Sequence, residues 1–377
     1  MSTIATFQCS SQIFFGPGAA KKIGEIAAST GIQRAFIVSD PGLIATGLPD
    51  RMASLFHESG VDSVIFGEVE SNPSLETTEQ ACAAYQQNDC TGLVAIGGGS
   101  PIDVAKSVGI LVKNPGGLSD YFGINKVINS LPPLLALPTT VGSGSEVTRF
   151  AVIIDRAQQK KLVIVSHLIT PGYVFLDPDV VESLPQNLLA MTSLDALTHA
   201  IESLISNFAS PFSDSLALEA IQLIRSYLPA AYHTKDYTAR EKLLYASTLA
   251  GMAFNHARTG LVHGMSHPLS SYYNVPHGLA NSILLPYVLQ FNLPYCEQAM
   301  TRLAIAMGEK AVPEYAIDAV RRLAALVEIP LKLSEVGVTN TYVQNMAQDA
   351  FESGNAQVVN PRKPNLQEVL DLYYQSL

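Results

Sequence analysis

Between Asn255 and His277 the chain places four of its eight histidines: His256, His263, His267 and His277. His263 and His267 are spaced i,i+4, which on a helix sets both rings on one face about a turn apart. Upstream, Asp195 and His199 repeat that spacing with a carboxylate and an imidazole. A single histidine such as His57, His167 or His233 is most simply a satisfied core residue. Several neutral imidazoles on apolar helices need something to bind, and two such faces can close on one divalent cation. Carboxylate and imidazole without thiol suit Fe(II), Zn(II) or a similar ion, and do not choose among them. A metal site at the centre of an enzyme is the reading that most constrains the rest.

A chain of 377 residues is long for one core, and two domains of about 150–200 residues are the natural prior. It is 47% apolar and 15% charged, a globular balance, and its formal charge of −10 argues against nucleic acid as a partner. The four cysteines (Cys9, Cys82, Cys90 and Cys296) show no CxxC or disulfide-like framework and suit reduced thiols. The start of the chain has no basic, apolar leader pattern, and no apolar run approaches the ~20 residues of a membrane span. A soluble, cytoplasmic protein is expected, with no membrane partner.

The first half alternates short apolar runs with helical stretches. Ala35–Ser39, Val61–Phe66, Gly92–Ile96 and Leu134–Leu137 read as strands; Ala19–Ala28, Asp50–Ser59 and Leu75–Gln87 read as helices. That alternation indicates an α/β domain with a largely parallel sheet, whose ligands sit at the carboxyl ends of the strands. Three loops therefore matter. After Ile96 comes Gly97-Gly98-Gly99-Ser100-Pro101-Ile102-Asp103, where glycines permit close backbone approach, Ser100 can cap a helix and Pro101 fits its first position. Such a helix N-terminus seats a diphosphate, and Lys106 one turn further in adds positive charge. After Leu137, the run Pro138 to Thr148 is dense in hydroxyls and glycine, an ordinary polar turn or a cofactor contact. Asp40, ending the first clear strand, is a turn residue before Pro41-Gly42 or a carboxylate for an adenosine ribose.

From about Pro185 helical periodicity takes over, in Asn187–Ile205, Asp214–Tyr227, Ala239–Phe254, Asn281–Phe291, Tyr295–Met307 and Ala316–Val327. A boundary near Leu184 divides an α/β domain (1–184) from a helical one (185–377). The phosphate-binding candidates fall in the first and the metal-ligand candidates in the second. A cleft between them would bring cofactor and metal together.

These residues resemble a known family. Gly97-Gly-Gly-Ser-Pro-Ile-Asp103, Pro138-Thr-Thr140 with Gly144-Ser-Glu-Val-Thr148, Asp195-Ala-Leu-Thr-His-Ala-Ile-Glu202 and Gly260-Leu-Val-His-Gly-Met-Ser-His-Pro268 are similar to the iron-dependent (group III) alcohol dehydrogenases. Pro276-His-Gly278, Ile283-Leu-Leu-Pro286 and Asn360-Pro-Arg362 add to the likeness, which spans essentially the whole chain. The stretch from Gly260 to Pro286 is particularly similar to the lactaldehyde reductases of that family.

The resemblance implies a dinucleotide-binding α/β domain, an all-α catalytic domain and a homodimer. It implies Asp195, His199, His263 and His277 as metal ligands, with His267 a non-ligand proton relay near the nicotinamide. Asn72, Gly97, Gly98, Gly99, Ser100, Asp103, Thr139, Thr140, Thr148 and Lys161 match cofactor-contacting positions. Asp40 matches an acid found in members that prefer NAD. Phe150 and Phe254 would form the apolar side of the substrate pocket. Most relatives carry Asn, Gly and Leu where this chain has His256, Arg258 and Thr259, so Thr259 makes one wall smaller and more polar. Arg258 faces either solvent or the cleft, where it would pair with a carboxylate, sulfonate or phosphonate.

The expected activity is hydride transfer between a short primary alcohol or diol and NAD, with Fe(II), or Zn(II), polarising the substrate oxygen. The alternatives are a reductase of anionic aldehydes that uses Arg258, and a non-catalytic nucleotide or metal sensor.

Overall fold

The computed structural model describes residues 6–156 and 160–377, with nine strands in two sheets. The strands are β1 (Gln12–Phe15), β2 (Arg34–Val38), β3 (Asp62–Phe66), β4 (Gly92–Gly97), β5 (Gly123–Ile124), β6 (Leu134–Pro138), β7 (Phe150–Asp155), β8 (Lys160–Val165) and β9 (Tyr173–Leu176). The larger sheet runs β1-β9-β6-β4-β2-β3 with every pairing parallel. Its central strands are buried on both faces. Phe36, Val38, Leu93 and Ala95 enter one core, while Ala35, Ile37, Val94 and Ile96 enter the other. Burial on both sides explains continuous apolar runs where a half-exposed strand would alternate. The cores are completed by α1 (Ile23–Ser29), α2 (Pro41–Ile44), α3 (Leu48–Glu58), α4 (Leu75–Gln87), α5 (Gly99–Lys113) and α6 (Pro178–Val181).

The chain leaves β2 for β3 at one edge, then returns to place β4 on the other side of β2 and continues outward to β6. The order reverses between β2 and β4, and ligands bind at such a switch point in open α/β sheets. The second sheet, β5-β8-β7, pairs β7 with β8 antiparallel. Five strands went unread in the sequence, among them the two-residue β5. β1 is a four-residue edge strand and β9 a four-residue run, while β7 and β8 follow the polar 138–148 stretch in a segment the sequence left unassigned.

This α/β unit comprises Gln8–Thr140 and Gly144–Leu184. The other compact unit takes Pro185–Leu377 together with Val141–Ser143 and a stretch ending at Phe7. Its helices are α7 (Gln186–Ile205), α8 (Pro211–His233), α9 (Tyr237–Ala257), α10 (Leu261–Tyr273), α11 (His277–Asn292), α12 (Glu297–Ala306), α13 (Pro313–Leu326), α14 (Val343–Glu352), α15 (Gly354–Val358) and α16 (Leu366–Ser376). α7 is the axis of the unit, packed against α8, α9 and α11 and buried on all sides from Ser193 to Ile205. Against the expectation that no segment has membrane-spanning length and apolarity, α7 has both, but 83% of its apolar window is buried inside the protein. Its hydropathy is that of a core helix.

Candidate metal centre and nucleotide loops

The metal-ligand candidates are gathered by α7 and by the α10–α11 hairpin. Asn274 ends α10 in the left-handed conformation (φ 54°), and Pro276 precedes the first residue of α11, His277. Asparagine tolerates that conformation better than most residues, and proline cannot prolong the helix before it. The turn therefore folds His277 back beside His263. Gly278 then lets α11 meet α7: a β-carbon there would come 2.5 Å from the Met191 carbonyl oxygen and 3.2 Å from Asp195 Cβ. One ligand atom each from Asp195, His263 and His277 lies within 4.8 Å of the other two.

Their lone pairs converge. Asn281, one turn beyond His277, places its Nδ2 2.7 Å from Asp195 Oδ1 and 3.2 Å from both His263 Nε2 and His277 Nε2. An N–H donor thus sits close to all three acceptors, while the fully buried Asn281 Oδ1 has no partner among the described residues. His199 is not in that triad of atoms. Its ring is sandwiched between Phe254, at a centroid distance of 4.3 Å, and His263, at 4.6 Å. Burial pushes its pKa down to about 4, against the opposing pull of Asp195 and of a backbone contact at Gly142, so it is a neutral imidazole. Imidazole nitrogens converging with one carboxylate, beside the neutral His199, fit a divalent transition metal. His267 stacks on His277 at 5.4 Å and is half-buried at the edge of the cluster.

The α/β unit presents its candidates at the ends of β2, β4 and β6. α5 begins at Gly99 with Gly98 as its cap. It therefore starts earlier than a cap at Ser100 implies. The Ser100 hydroxyl instead donates to the Ser71 carbonyl at 2.7 Å, tying the Asn72 segment to the glycine loop. A β-carbon on Gly97 would strike Pro101 at 2.5 Å, and one on Gly98 would lie 3.1 Å from Thr140, so backbone and neighbour pack directly here. Thr139 donates its N–H to the Gly97 carbonyl, and the Ser39 hydroxyl donates to the Ile96 carbonyl, which locks the three strand ends together. Asp40 caps α2, its carboxylate accepting the Leu43 N–H at 3.0 Å.

Two residues of this loop set turn inward. Lys106 is completely buried, and its Nζ donates to the carbonyls of Ser145, Thr148 and Phe150 at 2.6–3.0 Å. It anchors the 145–150 segment instead of offering charge to a phosphate. Asp103 accepts the Ser145 hydroxyl at 2.6 Å and the Val152 N–H at 3.0 Å, so both of its oxygens are engaged. Burial raises the Asp103 pKa in spite of the nearby Lys106. Thr148 is buried beside the lysine, and Lys161 lies on β8 opposite Ile154.

With this geometry in place, the comparisons decide the family. Residues 10–178 match the iron-containing alcohol dehydrogenase model, and residues 189–377 match the C-terminal model of the Fe-containing alcohol dehydrogenase family. The chain belongs to the iron-containing alcohol dehydrogenase family. It is 39% identical over 373 residues to 1,3-propanediol dehydrogenase of Citrobacter freundii, covering 96% of each chain. Lactaldehyde reductase of Escherichia coli (strain K12) is 34% identical, again over 96% of each. A crystal structure of 1,3-propanediol oxidoreductase superposes with a TM-score of 0.97 at 38% identity, covering all of both chains.

Within this iron-containing alcohol dehydrogenase scaffold, the expected pocket residues divide between the units. Phe150 opens β7 in the α/β unit. In the helical unit Phe254 covers His199, and Thr259 is half-buried beyond the end of α9. Arg258 caps α9 with φ 66° and ψ 175°, and its guanidinium carbon lies 4.8 Å from the centre of the Phe208 ring. Phe208 lies three residues beyond the C-terminal end of α7 at Ile205. The cationic head is thus committed to that ring. His256 stacks on Phe7 at 4.1 Å.

Three polar residues escaped the sequence reading. Glu202 holds His263 Nδ1 at 2.6 Å, Asn281 faces the ligands, and Asn360 Oδ1 accepts from Leu261 N–H and from Asn292 Nδ2. The signal for two of them was present. Glu202 is i+3 from His199, and Asn281 is i+4 from His277, each on the ligand face of its own helix.

Proposed function

We propose that this chain is a metal-dependent, NAD(H)-linked alcohol dehydrogenase and aldehyde reductase that interconverts a short primary alcohol or diol and its aldehyde. The carrying observation is the convergence of Asp195, His263 and His277 on one point, their ligand atoms within 4.8 Å of one another. Family membership and the neutral His199 ring stacked on His263 support a four-residue ligand set of Asp195, His199, His263 and His277. Iron is the metal proposed; the same donors would also accept Zn(II).

When bound, the ion supplies Lewis acidity to the substrate oxygen, and the nucleotide takes or gives the hydride. The protein's own residues orient, exclude water and move the proton. Phe254 roofs the His199 ring and keeps water from that face. His267, stacked on His277 and half-buried, is placed to carry the hydroxyl proton outward. Gly97 to Ser100 present a helix N-terminus for a diphosphate, and Thr139, Thr140 and Asn72 flank it. Asp40 favours NAD over a 2′-phosphorylated nucleotide. The stacking of Arg258 on Phe208 does not favour an anionic substrate. A cytoplasmic homodimer with a boundary near Leu184 completes the proposal.

His263→Ala is the test. Loss of Lewis-acid activation worth several kcal/mol corresponds to roughly a thousandfold or greater fall in turnover. Bound iron, measured by elemental analysis after anaerobic reconstitution, should fall well below one per chain. Full activity of the variant in the presence of a chelator would end the assignment.

A further inference from the structure

Glu202 has three donors for its two oxygens and lies inside α7 at 1% exposure. Its Oε1 accepts the Val262 N–H at 2.7 Å. Its Oε2 accepts the Gly260 N–H at 2.8 Å and meets His263 Nδ1 at 2.6 Å. Val262 and Gly260 belong to the first turn and cap of α10, whose cap residue is a glycine with no side chain to satisfy those N–H groups. A β-carbon at position 260 would crowd Glu202 Oε1 at 3.1 Å. A carboxylate that accepts on both oxygens has no proton to donate, so the proton in the third contact belongs to His263 Nδ1. The other nitrogen of that ring, Nε2, then carries a lone pair. Asn281 Nδ2 approaches it at 3.2 Å from the opposite side, as a donor would.

We propose that Glu202 is a positioning residue: it fixes His263 in the Nδ1–H tautomer and fixes the start of α10, so that Nε2 presents its lone pair to the ion. This rests on the metal reading above. Carboxylates in this position behind a metal-bound histidine raise ligand basicity and set ring orientation. The competing view makes Glu202 a helix cap and nothing more.

Glu202→Gln separates the two. A glutamine has one acceptor oxygen and one donor nitrogen. With its nitrogen towards His263 it demands the opposite tautomer, and with its oxygen there it turns a donor on Val262. Nitrogen-15 NMR of histidine-labelled, metal-free protein should show His263 as Nδ1–H in the wild type and as Nε2–H, or a mixture, in Glu202→Gln. Affinity for Co(II), measured by equilibrium dialysis per folded chain, should fall about 10–100-fold. Glu202→Asp, which keeps an acceptor-only group, should restore the wild-type tautomer. In a His263→Ala background, Glu202→Gln should leave the residual Co(II) affinity unchanged, because its effect passes through His263.

Retention of Nδ1–H in Glu202→Gln together with wild-type Co(II) affinity there overturns the proposal, as does an Nε2–H tautomer in the wild type. A cap alone would lower the melting temperature and leave the tautomer unmoved. If Glu202→Gln does not fold, Glu202→Asp carries the tautomer and dialysis tests, and an altered tautomer in it counts against the proposal. Failure of the wild type to bind Co(II) at all would sink the metal reading instead, and the metal-free spectrum would still judge Glu202.

Discussion

At the scale of single residues, Arg258 is held in a backbone conformation that is nearly glycine's alone, φ 66° with ψ 175°. A non-glycine residue there carries strain of order 1–3 kcal/mol. The guanidinium over Phe208 returns about 0.5–1 kcal/mol of cation–π attraction at a half-exposed site. Strain exceeds that return, so Arg258→Gly should stabilise the helical unit by about 1 kcal/mol, read as a raised urea midpoint with an unchanged slope. A lowered midpoint would mean that the stack outweighs the strain. Lys106 gives a second test, through pH. Burial lowers its pKa from 10.5 to about 8. Between those values the unfolded chain binds more protons than the folded one, so the lysine's contribution to stability rises with pH across that window. Below about pH 8 the charge is buried at full cost. Relative to Lys106→Met, the wild type should gain stability from pH 8 to 10.5 and show a flat difference between pH 6.5 and 7.5; a difference that falls across the upper window contradicts the burial argument.

At the scale of elements, the site depends on how closely α11 can approach α7. Gly278→Ala sets a β-carbon 2.5 Å from a main-chain oxygen, which no side-chain rotation relieves. Overpacking of this kind costs about 1–3 kcal/mol, and here it also pushes His277 away from Asp195. Both melting temperature and Co(II) affinity should drop. Gly354→Ala, where an added β-carbon meets nothing within 4 Å, is the matched control. A Gly278→Ala protein with unchanged metal affinity would show that the hairpin tolerates displacement.

The elements themselves were unevenly legible in sequence. β2, β3, β4 and β6 are apolar runs between helical segments, and α4 matches its sequence span of Leu75–Gln87. β7 and β8 were missed because hydroxyls and glycines just before them masked a hairpin whose partners are set by register, not composition. In the site, i,i+4 spacing marked the Asp195/His199 and His263/His267 pairs, because such pairs are local signals, while His277 as a ligand came from the family resemblance. Glu202 reaches His263 across 61 positions, and Lys106 reaches Ser145 across 39. Which way a buried charge points is decided by packing of that range. The inward turn of Lys106 and Asp103 could not be read from a glycine-rich loop, where both look available to a phosphate.

On the scale of the whole molecule, the chemistry divides between two units that should respond to different ligands. The proposed ligand histidines and Asp195 all belong to the helical unit, while the nucleotide candidates Asp40, Asn72, the triple glycine, Thr139 and Thr140 all belong to the α/β unit. A ligand stabilises what it binds by RT ln(1 + [L]/Kd), about 2.7 kcal/mol at a hundredfold excess over Kd. Amide exchange slows where opening must first release that ligand. Adding Fe(II) or Co(II) to chelator-stripped protein should therefore slow exchange in α7, α10 and the first turns of α11. Adding NADH alone should slow exchange in the segments following β4 and β6 and in residues 70–74, which Ser100 ties to the glycine loop. The two patterns are independent readouts of two sites, and neither needs turnover. Metal-induced protection confined to the α/β unit would remove the ligand set from α7, α10 and α11. NADH protection absent from the β4 and β6 ends would remove the nucleotide from the sheet's switch point.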